Sequence, residues 1–227
     1  MSNPYGSPPP FPNQPVPAPY QQVPTGPRGL ATASIWLAIA LTAVVVITAA
    51  VSYPVSVAVN DTMLSATPST STLIWVGASV ALGLALFAVL ISLYIVGCLW
   101  LLRSYDFARV VNPTFHMRRS RAWVWLGWWV PIVSLWFPLQ VVDDVRRATA
   151  NNQPRPSLAI WWTAWLVAIL STNLSGKIFN SEDVLSRDAI IIVAMIDALS
   201  AIALVIACVS WISIIRGITR DQEAARG

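Results

Sequence analysis

Apolar positions along this chain fall in long unbroken runs rather than in strict alternation or in heptads. Five runs stand out: Ala31 to Tyr53, Leu73 to Leu102, Ala122 to Val142, Ser157 to about Ser175, and Ala189 to Ile215. The first four hold no charged residue, and the last holds one, Asp197. A helix that crosses a bilayer needs roughly 20 apolar residues in succession. In hydrocarbon every backbone amide must find a partner within the protein, so spans of this kind are helices. A membrane β-barrel would show short segments of alternating polarity instead. The pattern therefore predicts an all-α integral membrane protein.

Breaks between the runs set the expected boundaries. Pro54 is expected to end or bend the first helix, because proline removes a backbone donor and clashes with the preceding turn. Residues 60–72, NDTMLSATPSTST, read as a polar loop. The second run has thirty uncharged residues, about 45 Å of helix at 1.5 Å each, so it tilts or its ends leave the hydrocarbon. Within it Gly77, Ala81 and Ala85 recur every four residues, a smooth stripe expected to receive another helix. Residues 103–121 are rich in arginine. VVDDVRRATA, from Val141, reads as a short amphipathic helix with Val141, Val142 and Val145 on one side; Asp143 is spaced to meet Arg146 or Arg147, and Asp144 to meet Arg147. NNQPRP ends it. A polar connector, GKIFNSEDVLSRD, precedes the last run, and the tail RGITRDQEAARG follows it.

The third run, RAWVWLGWWVPIVSLWFPLQVVDD, decides the topology. Ala122 to Val142 is twenty-one residues, long enough to cross. If it crosses, five spans with an inside N-terminus leave eight basic residues inside (Arg28, Arg103, Arg109, Arg118, Arg119, Arg121, Lys177, Arg187) and six outside. If it does not, four spans leave twelve inside and two outside, Lys177 and Arg187. Cytoplasmic loops carry the basic excess in membrane proteins, which favours twelve to two. Trp123, Trp125, Trp128, Trp129 and Trp136 run through the segment rather than marking its ends, and Pro131 and Pro138 interrupt it. Tryptophan prefers the interface, and broken backbone at membrane depth is tolerated only when buried in protein or water. The expectation is four transmembrane helices plus a re-entrant or interfacial hairpin and a short cytoplasmic amphipathic helix, with both termini cytoplasmic.

Composition refines this picture at the N-terminus. Hydrophobic residues make up 56% of the 227 and charged residues only 11%, with mean hydropathy +0.64. Residues 1–29 stand apart: ten prolines and few aliphatics read as a disordered, polyproline-like cytoplasmic tail, separate from a helical membrane domain over 30–227. It is a spacer or, through PPPFP, a ligand for an aromatic groove. It lacks the basic start of a signal peptide, and the apolar run that follows is longer than the ~7–15 residues of such a segment. The net charge of +4 reads as topology rather than nucleic-acid binding. Cys98 and Cys208 lie in apolar runs and read as small buried hydrophobes rather than a disulfide or metal pair.

RRSRAWVWLGWWVPIVSLWFPLQVVDDVRRAT, IWWTAWLVAILSTNLSGKI and IRGITRDQ together resemble an actinobacterial membrane family catalogued as domain-of-unknown-function family 4328. The resemblance covers roughly residues 73–222 and is most specific at Trp128, Trp129, Pro131, Ile132 and Pro138. It implies a bacterial membrane protein and carries over no catalytic residue.

Chemistry is thinly represented. A histidine-based nucleophile system is missing, since the lone His116 sits in the basic loop without the rest of a triad. Asp143 and Asp144, flanked by arginines, read as a charged helix face. No metal cluster, cofactor motif or phosphate loop is legible. Two candidates remain. Arg103, Arg109, Arg118, Arg119 and Arg121, beside the tryptophan hairpin, suit anionic lipid headgroups, at about 1 kcal/mol for each basic residue near the surface; an ordinary topology signal accounts for them equally. Asp197 is an intramembrane acid with Val193, Ala194, Ser200 and Ala201 as helical neighbours. It serves either as a hydrogen-bond partner to another helix or as a proton or cation site. The expected function is a non-enzymatic protein of the bacterial plasma membrane that binds lipid or docks on another membrane protein, without nucleic acid. The alternative is a small transporter or channel that uses Asp197.

Overall fold

The computed structural model describes residues 25–64, 69–150, 157–181 and 186–226. Most of the expected proline-rich tail lies outside these residues. Six α-helices follow in order: α1 (Arg28–Leu64), α2 (Thr70–Val111), α3 (Trp123–Leu126), α4 (Phe137–Ala148), α5 (Leu158–Phe179) and α6 (Arg187–Ala224), with a 3₁₀ turn at Val133–Leu135 between α3 and α4. No strand occurs among the described residues. Four of the helices, α1, α2, α5 and α6, are long and apolar enough to cross a membrane. The chain is a multi-pass, all-helical membrane protein. Residues 122–136 form no such helix; they fold into the single turn of α3 and the 3₁₀ turn.

Three helices outrun by nine residues or more the apolar stretches that announced them. Pro54 does not end α1, which continues to Leu64. A proline inside a helix removes one intrahelical hydrogen bond, and the rest of the ladder persists on either side. α2 starts at an N-cap, where the Ser69 hydroxyl accepts from the Thr72 amide, and it runs nine residues past Leu102. Its last turns stay helical because they are amphipathic: Ser104, Tyr105, Phe107 and Ala108 are buried while Arg103 and Arg109 face out. α6 extends likewise through the polar tail, with Ile218 and Gln222 buried and Arg216 and Arg220 exposed. Its start is capped by Ser186, which accepts from the Ala189 amide.

The long helices pack as a row, α2 on α1, α1 on α6 and α6 on α5. Helix association in hydrocarbon gains nothing from the hydrophobic effect between apolar faces and relies on close packing and interhelical polar contacts. Both are present. Ala168, Ala203, Leu204 and Leu41 form a small mid-bundle core. Across α5 and α6, Ser200 donates to the Ala168 carbonyl at 3.0 Å and shares a 2.8 Å hydrogen bond with Thr172. The stripe Gly77, Ala81 and Ala85 does not receive a helix. All three are exposed, on the same outward side of α2 as Leu73, Leu84 and Phe87. Small residues permit close approach but do not compel it, and α2 packs through other faces.

The densest core lies at one end of the bundle. It joins the start of α1 (Ala31), the last turns of α2 (Trp100, Leu101, Tyr105), α3 and α4 (Val124, Val141, Val145), the start of α5 (Leu158, Trp161, Trp162) and the end of α6 (Ile214, Ile215, Ile218). The end of α2 and the start of α5 thus share one end of the molecule with the start of α1 and the end of α6, where Arg28 pairs with Glu223 at 2.7 Å. Trp211 anchors this core, stacked on Trp161 at 4.7 Å between centroids and edge-on to Trp100 at 5.5 Å. Such aromatic pairs add about 0.5–1.5 kcal/mol beyond area burial.

Candidate functional site

The chain that leaves α2 doubles back along it. Four hydrogen bonds fix the descent. The Tyr105 hydroxyl donates to the Arg119 carbonyl at 3.0 Å. The Cys98 thiol donates to the Val124 carbonyl at 3.4 Å. The Tyr94 hydroxyl donates to the Trp125 carbonyl at 3.1 Å and accepts from Trp129 Nε1 at 2.7 Å. From Tyr105 to Tyr94 is eleven residues of α2, about 16 Å along its axis. The hairpin therefore reaches well into the level of the apolar part of α2.

Its tip is strained and apolar. Ile132 has φ 62° and ψ −59°, and the Val133 amide donates to the Pro131 carbonyl, which makes a γ-turn centred on Ile132. Positive φ on a β-branched residue is a genuine outlier, and this form of γ-turn is rare. A strained backbone costs on the order of 1–3 kcal/mol and persists only where its surroundings impose it. Around the turn Trp129 is 71% and Ile132 70% exposed, and Leu126, Leu135 and Trp136 are exposed as well.

The return limb is tied to α5 and to its own descending limb. The Leu135 carbonyl accepts from Trp162 Nε1 at 2.7 Å. Phe137 packs edge-on to Trp123 at 4.6 Å between centroids, under the Arg119 guanidinium at 3.6 Å. Gly127 lets the descending limb turn tightly after α3, since a Cβ there would lie 2.6 Å from the Trp123 carbonyl oxygen, with Phe137 of the return limb in ordinary contact at 3.5 Å.

Arg118 closes the hairpin at its base. Its backbone amide and Nε donate to the Asp144 carboxylate at 2.8 and 2.6 Å, and its Nη2 donates to Asp143 at 2.7 Å. Asp143 also meets Arg146 at 3.3 Å and Arg147 at 2.9 Å. Asp144 is only 1% exposed. Burial alone would lower the Arg118 pKa, but the hydrogen bonds and charges of Asp144 and then Asp143 outweigh it and raise it. Arg118 therefore stays cationic at every accessible pH. Asp143, read with Asp144 from the sequence as a charged helix face, does pair with neighbouring arginines on α4, and both aspartates are buried. The aspartates point inward because Val141, Val142 and Val145, also buried, seat α4 with that side against the bundle.

The five arginines divide into two groups. Arg118 and Arg119 are engaged in the hairpin, Arg119 through a 2.8 Å bond from Nε to Gln140 Oε1. Arg121 forms a two-pronged pair with Asp106 on α2, 2.9 Å on each prong, and that bond raises its pKa. Arg103 and Arg109 are exposed, and neither forms an ion pair among the described residues. His116 is exposed, its Nδ1 3.3 Å from the Thr114 carbonyl. The partners Tyr94, Tyr105, Asp106 and Gln140 carry no sequence signal. Each lies 14 to 35 residues from the group it meets, with no fixed spacing.

Asp197 lies elsewhere, on α6 within a candidate span, and it accepts a hydrogen bond from Ser52 of α1. Val193, Ser200 and Ala201 around it are buried. Cys98 and Cys208 are both free thiols. No group of three potential metal ligands occurs among the described residues.

Between the helices an almost wholly apolar cavity of about 120 Å³ opens, with walls from α1, α2, α5, α6 and Trp128 of the hairpin. A family model described as a domain of unknown function, DUF4328, matches residues 66–220. No curated protein and no solved structure matches the chain.

Proposed function

We propose, from the premise that this chain belongs to the DUF4328 family and is a multi-pass membrane protein, that it acts as a non-enzymatic lipid-binding module. In this reading the Trp/Pro hairpin is set into the cytoplasmic leaflet. The observation that carries it is the exposed aromatic and aliphatic tip, Trp129 and Ile132, held at the level of Tyr94 by side-chain hydrogen bonds. Held in water, such a tip would be an exposed apolar patch of the kind that marks an interaction site. In a leaflet it is solvated by acyl chains, while tryptophan N–H groups meet the interface. A binding protein rather than an enzyme is supported by the use made of the polar groups. The tyrosines, arginines and aspartates of the hairpin are consumed in holding it to the bundle.

Of the five arginines of residues 103–121, Arg103 and Arg109 are the two left to meet anionic headgroups. The twelve-to-two division of basic residues that four spans give supports a cytoplasmic placement of the end that carries the hairpin. No feature supports a nucleic-acid partner, and docking on another membrane protein is the second outcome open to the same surface.

The test is a spin label at position 132 in a cysteine-free background, reconstituted in phosphatidylglycerol vesicles. Protection from a water-soluble relaxant with exposure to oxygen is expected; free access of the water-soluble relaxant would exclude insertion. Arg103→Gln with Arg109→Gln should weaken phosphatidylglycerol retention, more at low salt than at high salt, because headgroup attraction is screened. Equal retention at all salt concentrations would remove these arginines from the account.

The transport reading has its own observation, an acid inside the bundle at Asp197. Proton or cation flux in liposomes, abolished by Asp197→Asn, would support it over lipid binding.

A further inference from the structure

We propose that the cavity between α2 and α5 is a seat for one acyl chain of a bilayer lipid, entered sideways from the membrane. This deepens the lipid-binding reading and rests on it only for the chain's place in a bilayer. The row of long helices is open on one side, because α2 and α5 do not pack on one another along their length. The hairpin bridges that gap at one end, where α4 contacts both helices. The rest is the cavity, walled by Leu41, Leu93, Gly97, Trp128, Trp165 and Ala207 among others. Leu90 lines it and is itself exposed, so the cavity reaches the outer surface of the bundle. That surface lies within the apolar parts of candidate spans, where the surrounding medium is hydrocarbon.

The accessible wall is almost wholly apolar, and three of its polar groups are already used. The Thr42 hydroxyl donates to the Ala38 carbonyl at 2.8 Å, and the Tyr94 hydroxyl and the Cys98 thiol hold the hairpin. A polar ligand would leave its own groups unpaired there, whereas a methylene chain asks for none. At about 120 Å³ the space is of the order of the ~150 Å³ apolar cavity that stays dry and takes up benzene. It therefore accepts part of a chain and leaves the headgroup outside. Gly97 lines it, and a Cβ placed there meets nothing within 4 Å, so a larger side chain has room to enter.

The experiment measures phosphatidylglycerol carried by the full chain after exhaustive detergent exchange, with about one lipid per chain expected for this single seat. Gly97→Leu fills the cavity from α2 and Ala38→Leu from α1. Losing even two methylenes of contact lowers retention about tenfold. Gly77→Leu, on the exposed face of α2, should leave retention unchanged. On the unaltered chain, retained phosphatidylglycerol with a spin label near the chain end should give a strongly immobilised spectrum. A fluid spectrum, no retained lipid, or retention in both filled variants equal to that of the unaltered chain overturns the assignment. Retention lost with Arg103→Gln and Arg109→Gln but kept in both filled variants overturns the chain seat while leaving headgroup binding standing. A position-132 label found in water beside an immobilised retained lipid does the reverse.

Discussion

Arg118 is the side chain on which the hairpin's closure depends most. It bridges the two limbs, and its partner Asp144 is buried. Removing the guanidinium leaves a buried carboxylate uncompensated. Breaking a fully buried pair costs about 3–5 kcal/mol; because Arg118 is half exposed, about 2–3 kcal/mol is expected for Arg118→Gln. Thermal unfolding in detergent should show this as a clear drop, with little change for Arg121→Gln, whose partner Asp106 is far less buried. Equal effects would mean that the clasp at Asp144 is not what holds the hairpin. The arginine-rich loop was legible in the sequence, but its internal use was not. Nothing in RRSR distinguishes the arginine that meets Asp144, 26 positions away, from its neighbours that meet Gln140 and Asp106. Asp197 belongs to the same scale. If its role is the bond from Ser52, Asp197→Asn keeps size and hydrogen bonding and is tolerated. Asp197→Leu should then cost only ~0.6 kcal/mol, the average for polar contacts between membrane helices. Melting beside a flux assay checks both variants, and a stable Asn variant that has lost a measurable flux would move the site from packing to transport.

The elements were readable where periodicity or length speaks and opaque where single bonds decide. Uninterrupted apolar runs announced the four long helices, and alternating valines and charges announced α4. The runs stopped short at Tyr53, Leu102 and Ile215 because hydropathy marks the apolar part of a helix, whereas the helices run on as amphipathic turns over Arg103 to Val111 and Arg216 to Ala224. The outward face of Gly77, Ala81 and Ala85 shows the converse, a packing signature with no packing partner in this chain. In the hairpin, Gly127 is the fitted position. Gly127→Ala places a Cβ 2.6 Å from the Trp123 carbonyl, and overpacking of this kind costs about 1–3 kcal/mol. Limited proteolysis should show new cleavage between 127 and 137, and unchanged protection would mean that the chain at 127 is not turned as tightly on Trp123 as described. Ile132→Gly should act in the opposite direction on stability. It relieves positive φ on a β-branched residue, with a gain on the order of 1 kcal/mol, while removing apolar surface from the tip. A higher melting temperature together with shallower insertion of a neighbouring label is the expected pair of results.

At the scale of the whole molecule, one arrangement accounts for charge, helix ends and hairpin together. The start of α1, the end of α2, the start of α5 and the end of α6 meet in one aromatic core. Among the described residues, the basic positions other than Lys177 and Arg187 cluster at that end. A third run that crossed would have to part the end of α2 from the start of α5. The tyrosine, cysteine and tryptophan bonds of the hairpin hold them together instead. The most direct test places single cysteines at Ala150 and Ser181 in a background without Cys98 and Cys208, and exposes intact cells to a membrane-impermeant maleimide. The four-span account predicts that the cysteine at 181 is labelled and that at 150 is protected until the membrane is permeabilised. Labelling at 150 with protection at 181 would mean either that residues 122–142 cross the bilayer or that the whole four-span bundle is inverted, and would contradict the account.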